Sequence, residues 1–135
     1  MVDGTIDAVV TDHAPHEWEE KDQEFNLAPS GFVGLETSVG AMLTHLYHTG
    51  IIDLMTMVNV MSTAQAKILG LDAGVIAPGK DADLTILDLD KEWTVDSSKF
   101  YSKGKSTPFD EMIFKGKAAA AIVNGKFVMK NGEVL

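Results

Sequence analysis

The chain opens with an apolar run, Ile6-Asp7-Ala8-Val9-Val10, that stops at a polar group, Thr11-Asp12-His13-Ala14-Pro15-His16. A short apolar run cut off in this way reads as a buried strand. Residues 17–29 are rich in Glu, Asp and Lys and read as a loop, of a length that in compact domains is often functional. Val39, Met42, Leu43, Leu46 and Tyr47 then fall at i, i+3, i+4, i+7 and i+8, the apolar stripe of an amphipathic helix. Gly50 can end that helix in a left-handed conformation. Asp53 is placed to cap a second helix reaching about Met61, with Ile52 before the cap able to staple onto Met57. Ser62-Thr63-Ala64-Gln65 has the form of a capping box opening a third, short helix that ends at Gly70. One strand followed by three helices suits the outer layer of an α/β fold.

The pattern changes near residue 72. From Gly74 onward the chain alternates turns with strand-like runs: Leu84 to Leu89, Trp93 to Val95, Ala118 to Val123 and Lys126 to Met129. Asn124-Gly125 between the last two is a hairpin signal, because both residues tolerate positive φ. Asn131-Gly132 offers a further turn. The reading divides the chain into residues 1–72, of barrel character, and residues 73–135, of β character.

Composition narrows the function classes. The chain has 135 residues, 45% hydrophobic and 23% charged, as a soluble globular domain would. Its net charge is −9, and all eleven basic residues are Lys. Nucleic acid and anionic membranes both require basic clusters, so neither is an expected partner. With no Cys, thiolate metal sites and disulfides are impossible, which fits a reducing cytoplasm. No apolar run approaches the ~20 residues a membrane helix requires.

Three groups are candidates for chemistry. Asp12, at the tip of a buried strand, can bind a metal through one carboxylate oxygen and leave the other to accept a proton. Barrel enzymes keep such residues at strand ends; the plainer role for Asp12 is to cap a turn. His13 and His16 follow closely, with Pro15 stiffening the loop between them. An isolated His is more often a surface or core residue than a ligand, and His45 and His48, on the expected helix, are read as structural or solvent-facing. In Ala28-Pro29-Ser30-Gly31-Phe32, Gly31 permits close backbone approach by a ligand and its N–H is a possible donor; an ordinary turn is the plainer reading.

These motifs together resemble class I dihydroorotase of the amidohydrolase superfamily. The resemblance rests on Asp12-His13-Ala14-Pro15-His16, on Glu19-Glu20-Lys21, and on Ala28-Pro29-Ser30-Gly31-Phe32-Val33-Gly34-Leu35-Glu36-Thr37. Thr63 to Leu71, Gly74 to Leu84, Ser106-Thr107-Pro108-Phe109 and Val123-Asn124-Gly125-Lys126 extend it over nearly the whole chain. The stretch from Gly74 to Leu84 marks only the superfamily, whereas the Asp12 to His16 motif is sharper.

The resemblance implies an α/β fold: the C-terminal end of a TIM barrel (its last strand and outer helices), followed by β-sandwich strands. It implies reversible hydrolysis of the cyclic amide dihydroorotate to carbamoyl aspartate in pyrimidine biosynthesis, with one or two zinc ions in the intact enzyme. Asp12 would be metal ligand and general acid/base. His16 would bind the substrate carboxylate, and Pro29, Ser30 and Gly31 would contact substrate partly through backbone. Relatives that open hydantoins, dihydropyrimidines or allantoin tend to lack a His at the position of His16.

The chain also departs from the family pattern. It has no His-x-His pair, no Arg, and one metal ligand of several. The expectation is therefore a C-terminal portion, inactive and unable to bind zinc tightly alone, whose partner is the N-terminal portion of the same enzyme. Self-association is also expected of the apolar strand, which would have two unpaired edges. The alternatives are another cyclic amidase or a non-catalytic binding module.

Overall fold

The computed structural model describes residues 1–135. A single helical turn, α1 (Trp18–Lys21), precedes two longer helical segments. The first joins α2 (Ser38–Met42) to a π-helical turn, Leu43–Tyr47. The second runs without a break through α3 (Leu54–Val58), a π-helical turn at Asn59–Thr63, and α4 (Ala64–Ile68). Four strands follow, β1 (Leu84–Thr94), β2 (Ile113–Val123), β3 (Lys126–Lys130) and β4 (Glu133–Val134), in one antiparallel sheet of order β1-β2-β3-β4.

The helix ends behave as local chemistry dictates. Asp53 accepts from the Thr56 N–H at 2.7 Å, satisfying a donor that the helix itself cannot. Ile52 and Met57 are both buried in one apolar cluster, as the staple requires. Gly50 and Gly70 sit at φ 75° and 67°. After Gly70, Leu71 N–H reaches back to Ala66 C=O at 2.8 Å and Gly70 N–H to Lys67 C=O at 3.2 Å, a Schellman closure.

The supposed capping box does not start a helix. Ser62 and Thr63 lie inside a continuous helix, and Gln65 turns away to donate to the carbonyls of Val9 and Val60. Long-range hydrogen bonding has overridden a local motif. The run Ile6 to Val10 is likewise not a strand here. Its one backbone tie is Val9 N–H to Val60 C=O at 2.9 Å. A strand needs a neighbouring ladder to satisfy its alternate N–H and C=O groups, and none lies beside this run.

In the second half, the two expected strands 84–89 and 93–95 merge into β1, with a register irregularity between Asp88 and Glu92. Asn124 and Gly125 turn at φ 49° and 75°, and Asn131 and Gly132 at 54° and 84°, closing the β2–β3 and β3–β4 hairpins.

The sheet packs on α2 and the π turn that follows it. Gly40 permits this: a Cβ there would stand 2.6 Å from the Phe114 ring and 2.9 Å from Trp93. Gly116, at φ 98°, does the same beneath Leu43. Phe114 and Leu43 are fully buried as a result, each contributing about 1.5–3 kcal/mol of transfer free energy. One apolar cluster joins Val33, Val95, Phe100 and Phe114. A second joins Met42, Leu43, Ile52, Met57 and Val60. His48 is half-buried and its Nε2 pairs with Leu89 C=O at 2.8 Å, while His45 stands edge-on to Phe114. His48 is tied into the structure and His45 is exposed, in keeping with the reading of both as structural or solvent-facing.

Candidate functional site

Two loops, residues 11–16 and 30–35, lie side by side. His13 and Phe32 form a parallel bridge, and Ala14 N–H donates to Phe32 C=O at 3.0 Å. His13 Nδ1 accepts from Gly34 N–H at 3.1 Å and Leu35 N–H at 3.3 Å, which leaves the proton of a neutral ring on Nε2. This gives His13, without a firm role from sequence, a place as an acceptor that seats the second loop.

Asp12 sits at the bend, at φ 43°, a left-handed conformation that Asp tolerates better than most residues. It is exposed, and its carboxylate makes no hydrogen bond or ion pair within the chain. The plain turn-capping role is therefore not what it does here. Three residues upstream, Val9 is held from both sides, its N–H by Val60 C=O and its C=O by Gln65. Gln65 thus steadies the approach to Asp12.

His16 is used fully. Its Nε2 pairs with Ser30 C=O at 2.9 Å and its Nδ1 with Glu20 Oε2 at 3.1 Å. Both partners are acceptors, so a ring nitrogen that carries a proton donates to its partner. Lys21 Nζ donates to Pro29 C=O at 2.9 Å and to Gly31 C=O at 3.0 Å. Three successive carbonyls, 29 to 31, are thereby turned toward Lys21 and His16. The N–H groups of Ser30 and Gly31 make no hydrogen bond within the chain. Gly31 is at φ 115°, and a Cβ on it would stand 2.8 Å from Ala14 Cβ.

The structure thus brings His16, Pro29, Ser30 and Gly31 into one cluster, with Asp12 on the same loop. Sequence reasoning missed Lys21, Glu20 and Gln65. A lone Lys in an acidic loop carries no local signal of the carbonyls it will reach, and Gln65 was assigned to a cap.

No three His, Asp or Glu side chains gather in a way that would hold a metal ion. A catalytic zinc takes three protein ligands. Asp12 alone does not supply that set.

The family model described as amidohydrolase family matches residues 1–128. The chain belongs to the amidohydrolase family. It is 47% identical over 131 residues to a dihydroorotase of Pelotomaculum thermopropionicum, covering 97% of this chain and 31% of that one. It is 51% identical over 130 residues to a dihydroorotase of Geobacter metallireducens, covering 96% and 30%. The chain therefore spans about 30% of the length of these relatives. Among solved structures it resembles the L-hydantoinase (dihydropyrimidinase) from Arthrobacter aurescens, with TM-score 0.93 and 40% identity over 98% of this chain and 31% of that one. A D-hydantoinase (dihydropyrimidinase) from Thermus sp. aligns with TM-score 0.85 at 30% identity, covering 98% and 30%. These amidohydrolases support the α/β class. No helix of the chain is long and apolar enough to cross a membrane.

Proposed function

We propose that this chain is the C-terminal part of a zinc-dependent dihydroorotase of cytoplasmic pyrimidine biosynthesis, carrying the end of the barrel and strands of the small β-sandwich. The substrate of the complete enzyme is dihydroorotate, opened reversibly to carbamoyl aspartate. Identities of 47% and 51% to dihydroorotases support the choice. The geometric observation that carries it is the clasped turn. Lys21 and His16 occupy the carbonyls of residues 29–31 and leave the Ser30 and Gly31 N–H groups without partners, and the loop packed against this turn carries an unpaired Asp12. Free backbone donors, on the side of the turn away from Lys21, suit a carbonyl or carboxylate oxygen of a cyclic amide.

Zinc belongs to the complete enzyme in this reading. Asp12 is one ligand, and the others come from outside this chain. The chain's own contribution to the reaction is proton handling. As water oxygen bonds to the ring carbonyl carbon, the Asp12 carboxylate takes its proton. As the ring C–N bond breaks, Asp12 returns a proton to the departing nitrogen. His16 helps hold the substrate carboxylate by exchanging one of its two partners in this chain, Glu20 or Ser30 C=O, for it, and Pro29, Ser30 and Gly31 contact the substrate, the latter two through backbone N–H.

The likeness to the L-hydantoinase at TM-score 0.93 favours, as the second reading, an amidase acting on uncharged rings. Kinetics of His16→Ala in a complete enzyme carrying this segment separate the two. Loss of a charge-assisted bond, worth about 1.5–3 kcal/mol, should weaken dihydroorotate binding by roughly tenfold or more and leave the carboxylate-free dihydrouracil little affected. Equal losses on both substrates would reject the carboxylate contact and leave His16 a loop-shaping residue.

A further inference from the structure

The loop between β1 and β2 is bound at several points to residues 32–36, and at Gly104 to the Asp12 loop. The Glu36 carboxylate accepts two backbone donors, Tyr101 N–H at 2.9 Å on Oε2 and Ser102 N–H at 3.0 Å on Oε1. Val33 N–H donates to Ser106 C=O at 2.9 Å. Phe32 meets Phe109 edge-on at 6.5 Å. Gly104 is buried against the loop that carries His16: a Cβ there would stand 2.9 Å from Pro15 Cβ, 3.1 Å from His16 C=O and 3.3 Å from His16 N–H. Nothing in the reaction described above uses Glu36, Gly104 or this loop.

We propose that Glu36 is a positioning residue: it latches residues 101–106 so that Gly104 forms the floor under Pro15 and His16 and fixes where the His16 ring stands. The physical case rests on the pairing. A single carboxylate satisfying two adjacent amides makes two charge-assisted bonds from one rigid group, and so fixes both the position and the tilt of the loop it holds. The loop in turn touches backbone atoms of His16, not a flexible side-chain end, so a shift of the loop moves the ring itself. This deepens the proposed function and rests on it, because it makes the β half of the chain part of substrate selection at the His16 position.

The test uses a complete enzyme carrying this segment, after wild-type turnover of dihydroorotate has been measured. Glu36→Gln keeps the size but offers one acceptor oxygen and turns an NH₂ toward the other amide. The expected result is a roughly tenfold rise in KM for dihydroorotate with kcat changed less than about twofold. Gly104→Ala, which presses on the same floor from the other side, should shift KM in the same direction. In a His16→Ala background the Glu36→Gln effect on KM should vanish, an outcome that a merely structural role would not produce. Amide hydrogen exchange on the same proteins provides a readout without turnover: Glu36→Gln should speed exchange at Tyr101 and Ser102 and also at Ala14 and Val33. Faster exchange confined to Tyr101 and Ser102, or a KM shift equally large without His16, would overturn the latch. If the wild-type enzyme fails to turn over dihydroorotate, the functional reading falls, and the exchange pattern alone decides whether the latch exists.

Discussion

At Gly31 the backbone stands at φ 115° with Ala14 Cβ and C=O 2.8 Å and 3.0 Å from where a side chain would begin. Two penalties therefore meet there, a conformation that L residues rarely adopt and a clash with a neighbouring loop that includes backbone. Gly79 is a natural control, since it also has positive φ (85°) but open space around it. Gly31→Ala should destabilise a complete enzyme by clearly more than Gly79→Ala, whose cost is backbone strain alone, about 1–3 kcal/mol. Denaturant unfolding of the two variants checks this, and equal effects would mean that the Ala14 contact does not constrain the loop. At this scale the sequence was legible where residue type and spacing carry chemistry. Asp12, His16 and Gly31 stand out for that reason, and the structure gathers His16 and Gly31 around one turn. Lys21 and Glu36 were not legible. Their partners are backbone groups 8 and 65 residues away, and a backbone carbonyl or amide leaves no mark in the sequence.

Among the elements, caps and turns were the parts best legible. Asp53, Gly50, Gly70, Asn124-Gly125 and Asn131-Gly132 each act through local geometry, and each ends or turns an element as expected. Elements that depend on distant partners were misread: Ile6 to Val10 has no ladder to join, and Gln65 serves Val9 instead of a cap. The Asp53 cap has a pH signature. The Thr56 N–H holds the Asp53 carboxyl below its ordinary value of 3.8. A carboxyl lowered by folding contributes stability that is present above the unfolded value and lost as pH falls through the folded one. Asp53→Ala should therefore lower the thermal midpoint near neutral pH, and the gap from wild type should narrow below about pH 3.8. Melting curves across pH 2–7 test it, and a gap that is constant or widens toward low pH would contradict the cap.

The molecule as a whole exposes 9346 Å². A compact monomer of 14.6 kDa would expose about 6,900 Å². The excess includes apolar side chains that a self-sufficient domain hides, among them Ile6, Val10, Ile68 and Ile76, with Val10 77% and Ile76 89% exposed. Ile6 and Val10 lie on the segment leading to Asp12, and Ile68 lies on the helix beside it. Sequence placed Asp12 at the tip of a buried strand, whereas it stands exposed at a bend after a run that joins no ladder, and no three His, Asp or Glu side chains gather around it in this chain. The account stands or falls on Asp12. In a complete enzyme carrying this segment, Asp12→Asn keeps the side-chain shape and removes its basicity, and loss of general acid–base catalysis is worth about 10²–10⁴ in rate. The decisive measurement is steady-state hydrolysis of dihydroorotate by wild type and Asp12→Asn, with metal content matched. The account predicts a loss of at least ~100-fold in kcat, whereas a variant retaining about half or more of wild-type activity would contradict it.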